Sequence, residues 1–197
     1  QMEVYAGYYE FCDDQIARIV DAIEETGELD NTLIIFIAGD NGASAEGSMT
    51  GTGSAVAMLN GVDFPIDETM KFYDKWGEPG TDPHYAVGWS WAMDTPFQWM
   101  KQVASHFGGT RNPMVISWPK RIKDKGGLRE QFHHVNDIAP TLLDVIGLKQ
   151  PKYVNGIKQK PMEGVSFAYT FADDGAKAPD RKKTQYFELI GNRGIYH

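Results

Sequence analysis

An aspartate and an asparagine stand side by side, Asp40-Asn41, at the end of the stretch from Asn31 to Gly42, which reads NTLIIFIAGDNG. A carboxylate and a carboxamide supply two oxygen donors, and Gly39 and Gly42 let the chain bend sharply around a ligand. Such donors suit a hard cation, Ca²⁺ or Mg²⁺, better than a soft one. Asn-Gly is also a strong hairpin signal. A hairpin needs a second strand at once, however, and the stretch from Ala43 to Gly53 is small and polar without alternation. Other residues offer weaker chemistry. Asp13 and Asp14 fall in a helical pattern where neighbouring side chains point about 100° apart, so they read as a solvated face. His133 and His134, adjacent on an extended segment, diverge by about 180° and do not easily share an ion. Taken alone, Lys101 is a surface lysine, and Lys120, Arg121, Lys123, Lys125 and Arg129 are a solvated basic loop.

The elements that must position the Asp-Asn pair can be read on either side of it. Leu33 to Ala38 is an uninterrupted apolar run rich in β-branched residues, the pattern of a core strand covered on both faces. In open α/β sheets, ligands bind at the carboxyl ends of such strands. Ahead of it, Val4, Tyr8, Phe11, Ile16, Ile19, Val20 and Ile23 recur at three- and four-residue steps, which predicts a helix from Met2 to Thr26 closed by Gly27. Helix, short turn and strand make half of a right-handed crossover. Asp67 to Trp76 reads as a short helix. Trp76, His84, Tyr85, Trp89, Trp91, Phe97 and Trp99 then form an aromatic stretch, either one wall of a cleft or a satellite core.

Asp94-Thr95-Pro96 carries the signals of a helix start, with Asp94 as N-cap and Phe97, Met100 and Ala104 on one face. Lys101 would lie near the end of that helix, before a glycine turn bearing His106 and Arg111. Met114 to Trp118 reads as a second buried strand, Ile138 to Ile146 as a helix stopped by Gly147, and Gln185 to Leu189 as a last strand.

With 42% hydrophobic and 23% charged residues in 197, the composition is that of a globular domain with one sizeable core. A net charge of −8 leaves no basic surplus to neutralise phosphates and argues against nucleic acid as a partner. It also means that an anionic substrate would need a local cation. Cys12 is the only cysteine, so neither an internal disulfide nor a thiolate zinc site is available within the chain. No apolar run reaches the roughly 18 residues of a membrane span. Periodic pattern running nearly to both ends is that of a piece of something longer, and a truncated sheet would expose an edge, from which aggregation or a homo-oligomer is expected unless a missing N-terminal half covers it.

Three segments in order, NTLIIFIAGDNG, then KQVASHFGGTRNPMVISWP, then HHVNDIAPTLLDVIGL, resemble the carboxyl-side half of a type I sulfatase. More narrowly, they are similar to the arylsulfatase group of the alkaline phosphatase superfamily. The resemblance implies an α/β fold with a mostly parallel central sheet flanked by helices, incomplete here. It implies the carboxyl-side part of the catalytic domain over residues 1–147 and the start of a small C-terminal α+β subdomain over 148–197. It further implies that Asp40 and Asn41 ligate a divalent cation, usually Ca²⁺, and that Lys101 binds the sulfate of a sulfate monoester. Such an enzyme hydrolyses sulfuric esters. A cation and an ammonium would there neutralise the substrate and the charge that builds during transfer. Arg111, after the turn, is as well suited to bracing the loop as to meeting substrate, and His106 inherits no role.

The family's formylglycine nucleophile arises from a Cys/Ser-x-Pro-x-Arg motif; no cysteine here begins one, and the one serine match in letters, Ser117-Trp118-Pro119-Lys120-Arg121, overlaps the end of the segment KQVASHFGGTRNPMVISWP, which the resemblance places on the carboxyl side of the nucleophile. Cys12 is followed by Asp13-Asp14-Gln15 and is expected to pack in the first helix. Formylglycine is therefore expected upstream, and the 197 residues alone are expected to be inactive. Two other readings stay open: a phosphoesterase or phosphonate hydrolase of the same superfamily, since the same cation and lysine serve a phosphate equally, and a non-catalytic α/β binding module.

Overall fold

The computed structural model describes residues 1–39 and 41–197, so Asp40 lies outside the described residues. Helix α1 (Met2–Glu25) is followed by β1 (Ile34–Ile37), α2 (Ala55–Leu59), α3 (Ile66–Met70), α4 (Val87–Asp94), α5 (Phe107–Thr110), β2 (Met114–Ser117), α6 (Ile138–Val145), and the short strands β3 (Tyr153–Val154) and β4 (Ile157–Lys158). The last two strands are β5 (Gln185–Leu189) and β6 (Asn192–Tyr196). Strands pair two by two, β1 with β2, β3 with β4 in antiparallel register, and β5 with β6. A larger, mostly parallel sheet is not seen among the described residues. None of the helices among them is long and apolar enough to cross a membrane.

The chain divides into two compact units. The first comprises residues 1–29, 35–116 and 187–194, the second residues 30–34, 117–186 and 195–197.

In the first unit, α1 ends where the sequence places its stop, with Gly27 at φ 75°, a left-handed conformation that glycine adopts without steric cost. Its amino end is anchored. The Gln1 side chain donates to the Thr50 carbonyl at 2.8 Å and accepts the Ala86 N–H at 2.8 Å, and the Tyr5 ring meets Tyr85 edge-on at 5.4 Å. No residue of α1 is buried, and Tyr8, Phe11 and Ile19 lie exposed. Strand β1 forms where the apolar run predicts it, but it is not core: its residues are half-buried and Phe36 is exposed. Among the described residues it has one partner strand and no cover on both faces, and the run keeps its extended conformation through β-branched residues and the pairing with β2, prolonged by an Ala38 N–H to Pro113 carbonyl bond of 3.1 Å.

The expected helix from Asp94 onward is not formed. Asp94 is instead the last residue of α4, and the segment after it is a succession of turns. Trp99 at φ 64° and Gln102 at φ 77° adopt left-handed conformations, which no continuous right-handed helix contains. Tertiary contacts of Asp94, described below, outweigh its preference for an N-cap.

The second unit has its own apolar centre. Phe167 is almost wholly buried, and its ring meets Phe171 at 6.0 Å and His133 at 4.8 Å, while Trp118 meets Phe171 edge-on at 6.4 Å. Asp137 is completely buried and fully satisfied. One carboxylate oxygen accepts the Lys182 ammonium at 2.8 Å and the Val165 N–H at 2.8 Å, and the other accepts the His134 N–H at 2.8 Å. The last of these bonds is half of a capping box, since the His134 ring nitrogen accepts the Asn136 N–H. It starts a 3-10 turn that runs into α6, which begins and ends where the sequence predicts it.

Candidate functional site

The site grows out of the loop that follows β1. Asn41 is half-buried at a bend, and Gly42 beside it is buried against the glycine turn of α5. A Cβ on Gly42 would fall on the Gly108 carbonyl, and one on Gly108 would fall on the Trp99 carbonyl. Glycine is therefore required at both positions for the backbones to approach, and the approach brings residues 98–103 onto the loop. The Lys101 N–H donates to the Ala43 carbonyl at 3.0 Å, and the Gly108 N–H donates to the Gln98 carbonyl at 3.0 Å. Between them, the left-handed residues Trp99 and Gln102 bracket Met100 and Lys101. Met100 is buried, and Lys101 keeps its side chain 29% exposed. Non-glycine residues in this conformation are uncommon and persist where surrounding contacts over-determine them.

The Lys101 ammonium lies 3.0 Å from both carboxylate oxygens of Glu46, itself 31% exposed. Ser44 donates its hydroxyl to the Glu46 carboxylate at 3.0 Å, and the Glu46 N–H reaches back to the same hydroxyl at 3.4 Å. His84 closes on Ser44 Oγ through Nε2 at 2.7 Å and faces the Tyr85 carbonyl through Nδ1 at 2.8 Å. The Lys101 ammonium, helped by the Ser44 hydroxyl, holds the Glu46 carboxyl below its ordinary value even though partial burial pushes the other way. Glu46 is thus an anion at neutral pH.

Helix α4 braces the loop from another side. The Ser90 hydroxyl, fully buried, donates to the Ser44 carbonyl. The Asp94 carboxylate accepts the Ala43 N–H, while its Oδ2 is buried without a partner among the described residues, and burial raises its pKa against the lowering effect of that bond. Two helix residues therefore hold the segment that immediately follows Asn41.

Of the residues singled out by sequence, Lys101 and Asn41 lie on segments that the structure brings together through Ala43 and Glu46. Asp40 lies outside the described residues. The Arg111 guanidinium lies 4.8 Å above the Phe97 ring. His106 pairs with the Ser105 hydroxyl at 2.9 Å. His133 is packed against Phe167 and His134 caps the turn before α6, so both serve the second unit's interior. Cys12 is half-buried and free in α1. Among the basic residues expected to be solvated, Arg129 instead bonds the Thr170 carbonyl at 2.9 Å and Asp124 at 2.9 Å.

Sequence reasoning missed Glu46, Ser44, His84 and Asp94. One signal was available for Glu46: it is the only charged residue between Asp40 and Asp63. The pairing of Ser44 with His84, 40 residues apart, leaves no local pattern.

A partly exposed ammonium, fixed at its backbone by the loop after the Asp-Asn pair, can receive an anion. Against known proteins, the chain matches the sulfatase family across residues 1–148. It is 33% identical over 150 residues to an uncharacterised sulfatase of Schizosaccharomyces pombe, a match covering 76% of this chain and 26% of that protein. It is 28% identical over 198 residues to an arylsulfatase of Klebsiella aerogenes, covering 96% of this chain and 37% of that protein. The chain spans about a quarter to somewhat over a third of the length of these curated relatives. A family match over three quarters of the chain, joined to a relative one-third identical, establishes that the chain belongs to the sulfatase family.

Proposed function

We propose that the chain is the carboxyl-side part of the catalytic domain of an arylsulfatase-type sulfuric ester hydrolase, in which Lys101 binds the sulfate group of a small sulfate monoester. The observation that supports this most is the anchoring of Lys101 by the loop after the Asp-Asn pair, through Ala43 at its backbone and Glu46 at its ammonium. In an acidic chain, this half-exposed cation is a place where a negative ligand gains charge-assisted hydrogen bonds. The same reading takes β1 and β2 as two strands of the family's parallel sheet, with the catalytic part ending near residue 147.

Asp40 and Asn41 would hold a divalent cation. Their donors are all oxygen, which suits Ca²⁺, with Mg²⁺ as the alternative. Among the described residues no three His, Cys, Asp or Glu side chains gather into a metal cluster, so the six to eight oxygens of a calcium shell would be completed by groups beyond these. When bound, the cation supplies charge neutralisation to the substrate oxygens. Within the chain itself, Lys101 orients the sulfate, Glu46 and Ser44 set the direction of the ammonium, and α4 through Ser90 and Asp94 fixes the loop that carries Asn41.

On this reading the formylglycine nucleophile is expected outside these 197 residues: Cys12 sits in the middle of α1 without the Pro-x-Arg of the family motif, and the one serine that has it, Ser117 before Pro119 and Arg121, is the last residue of β2. The test is turnover of 4-nitrophenyl sulfate by the protein that carries this chain, before and after chelation of calcium. Turnover that chelation abolishes and calcium restores is expected. Failure to hydrolyse the ester would overturn the reading. Turnover by the 197 residues alone would overturn the placement of the nucleophile.

A further inference from the structure

The cation assigned to the substrate is not free in charge. Its ammonium stands 3.0 Å from a carboxylate that is itself held in place, by the Ser44 hydroxyl at 3.0 Å, with His84 behind Ser44 at 2.7 Å. Both side chains of the pair keep about a third of their surface exposed, so a ligand that reaches Lys101 meets Glu46 as well. The groups that face Glu46 are Lys101 and the Ser44–His84 pair; Asp94, at the end of α4, meets the same loop at Ala43 and adds no positive charge.

A fixed anion beside an anion-binding cation penalises each additional charge on the ligand. A sulfate monoester bears one negative charge throughout the working pH range. A phosphate monoester bears two above its second pKa of about 6. We propose that Glu46 is a specificity-determining residue that selects monoanionic sulfate monoesters over dianionic phosphate monoesters at Lys101. The inference rests on the proposed reading of Lys101 as the sulfate-binding residue. It resolves the choice between sulfatase and phosphoesterase by charge rather than by shape, since the two esters are close in size and geometry.

The experiment measures kcat/KM for 4-nitrophenyl sulfate and 4-nitrophenyl phosphate with the full protein carrying this chain, as wild type, Glu46→Gln, Glu46→Ala and Glu46→Asp. At pH 8, Gln and Ala are expected to raise the phosphate-to-sulfate ratio about tenfold, while Asp, which keeps the charge, holds it near the wild-type value. At pH 5, where most of the phosphate ester carries one charge, the shift should shrink to about twofold. In the wild type, which needs no variant to fold, the same ratio should rise as pH falls from 8 to 5. Equal losses for both esters in Gln and Ala would mark Glu46 as a prop for the loop and overturn the assignment, as would a wild-type ratio that does not change with pH. A wild type that hydrolyses the sulfate ester while the variants leave the ratio unmoved overturns the selectivity alone. A wild type that hydrolyses neither ester removes the sulfatase reading and this assignment with it.

Discussion

Lys101 and Glu46, 55 residues apart in sequence, form an ion pair of 3.0 Å on the loop that follows the Asp-Asn pair. The pair is partly open to solvent, so its worth to stability is small, about 0–1 kcal/mol. Its sign with pH is nevertheless defined. Glu46 has a folded-state pKa below its ordinary value of 4.5, so the contribution is present above that value and is lost as pH falls through the lowered one. Urea unfolding of wild type and Lys101→Met should differ by this small amount at pH 7 and converge near pH 3. A difference that persists at pH 3 would mean that packing of the lysine stem, not the ion pair, is responsible.

Gly42 and Gly108 make the close backbone approach on which Lys101 depends. Gly42→Ala places a methyl group on the Gly108 carbonyl and is expected to destabilise the first unit by about 1–3 kcal/mol. Gly27→Ala, at a left-handed position with open space around it, should cost less, about 1 kcal/mol. Thermal unfolding of the two variants checks the order. Equal effects would show that the loop relaxes freely and does not fix the lysine.

The buried pair Lys182–Asp137 governs the second unit. Lys182→Met leaves the Asp137 carboxylate buried with only backbone donors, and a loss of about 3–5 kcal/mol is expected. Denaturant unfolding measures it, and a change under about 1 kcal/mol would mean that water or a rearranged Asn136 replaces the ammonium.

His133 gives the second unit its response to mild acid. Its ring is half-buried against Phe167 and Tyr169, with Nε2 buried and unpaired among the described residues, and burial lowers its pKa against the raising pull of Asp137 and Asp180. With a folded-state value below the ordinary 6.5, the neutral ring contributes stability above that value. Stability is lost as pH falls, because the unfolded state then binds the extra proton. His133→Phe should flatten the decline of stability between about pH 7 and 5. An unchanged slope would place the acid response elsewhere.

What could be read from the chain, and what could not, follows the range of the interactions. Helices α1 and α6 and strand β5 are legible because three- and four-residue apolar steps, a glycine stop and an apolar run fix them locally. The region from Asp94 to Ala104 is misread because local signals for a helix start are outweighed by Asp94 bonding Ala43 and by the left-handed backbone at Trp99 and Gln102. The apolar run of β1 announces a strand but not its cover, which depends on what packs against it. Lys101 is visible only through the family resemblance. Glu46, Ser44 and His84 join it through contacts spanning 40 and 55 residues, for which no periodicity exists.

The central claim is that the Lys101 ammonium receives the sulfate group. Steady-state kinetics of Lys101→Ala on 4-nitrophenyl sulfate, in the full protein with calcium present and the fold checked by circular dichroism, tests it most directly. A fall in kcat/KM of about 10²–10³-fold is predicted, the loss expected for one donor to the charge that develops in transfer. A folded variant whose kcat/KM stays within about twofold of wild type would contradict the account.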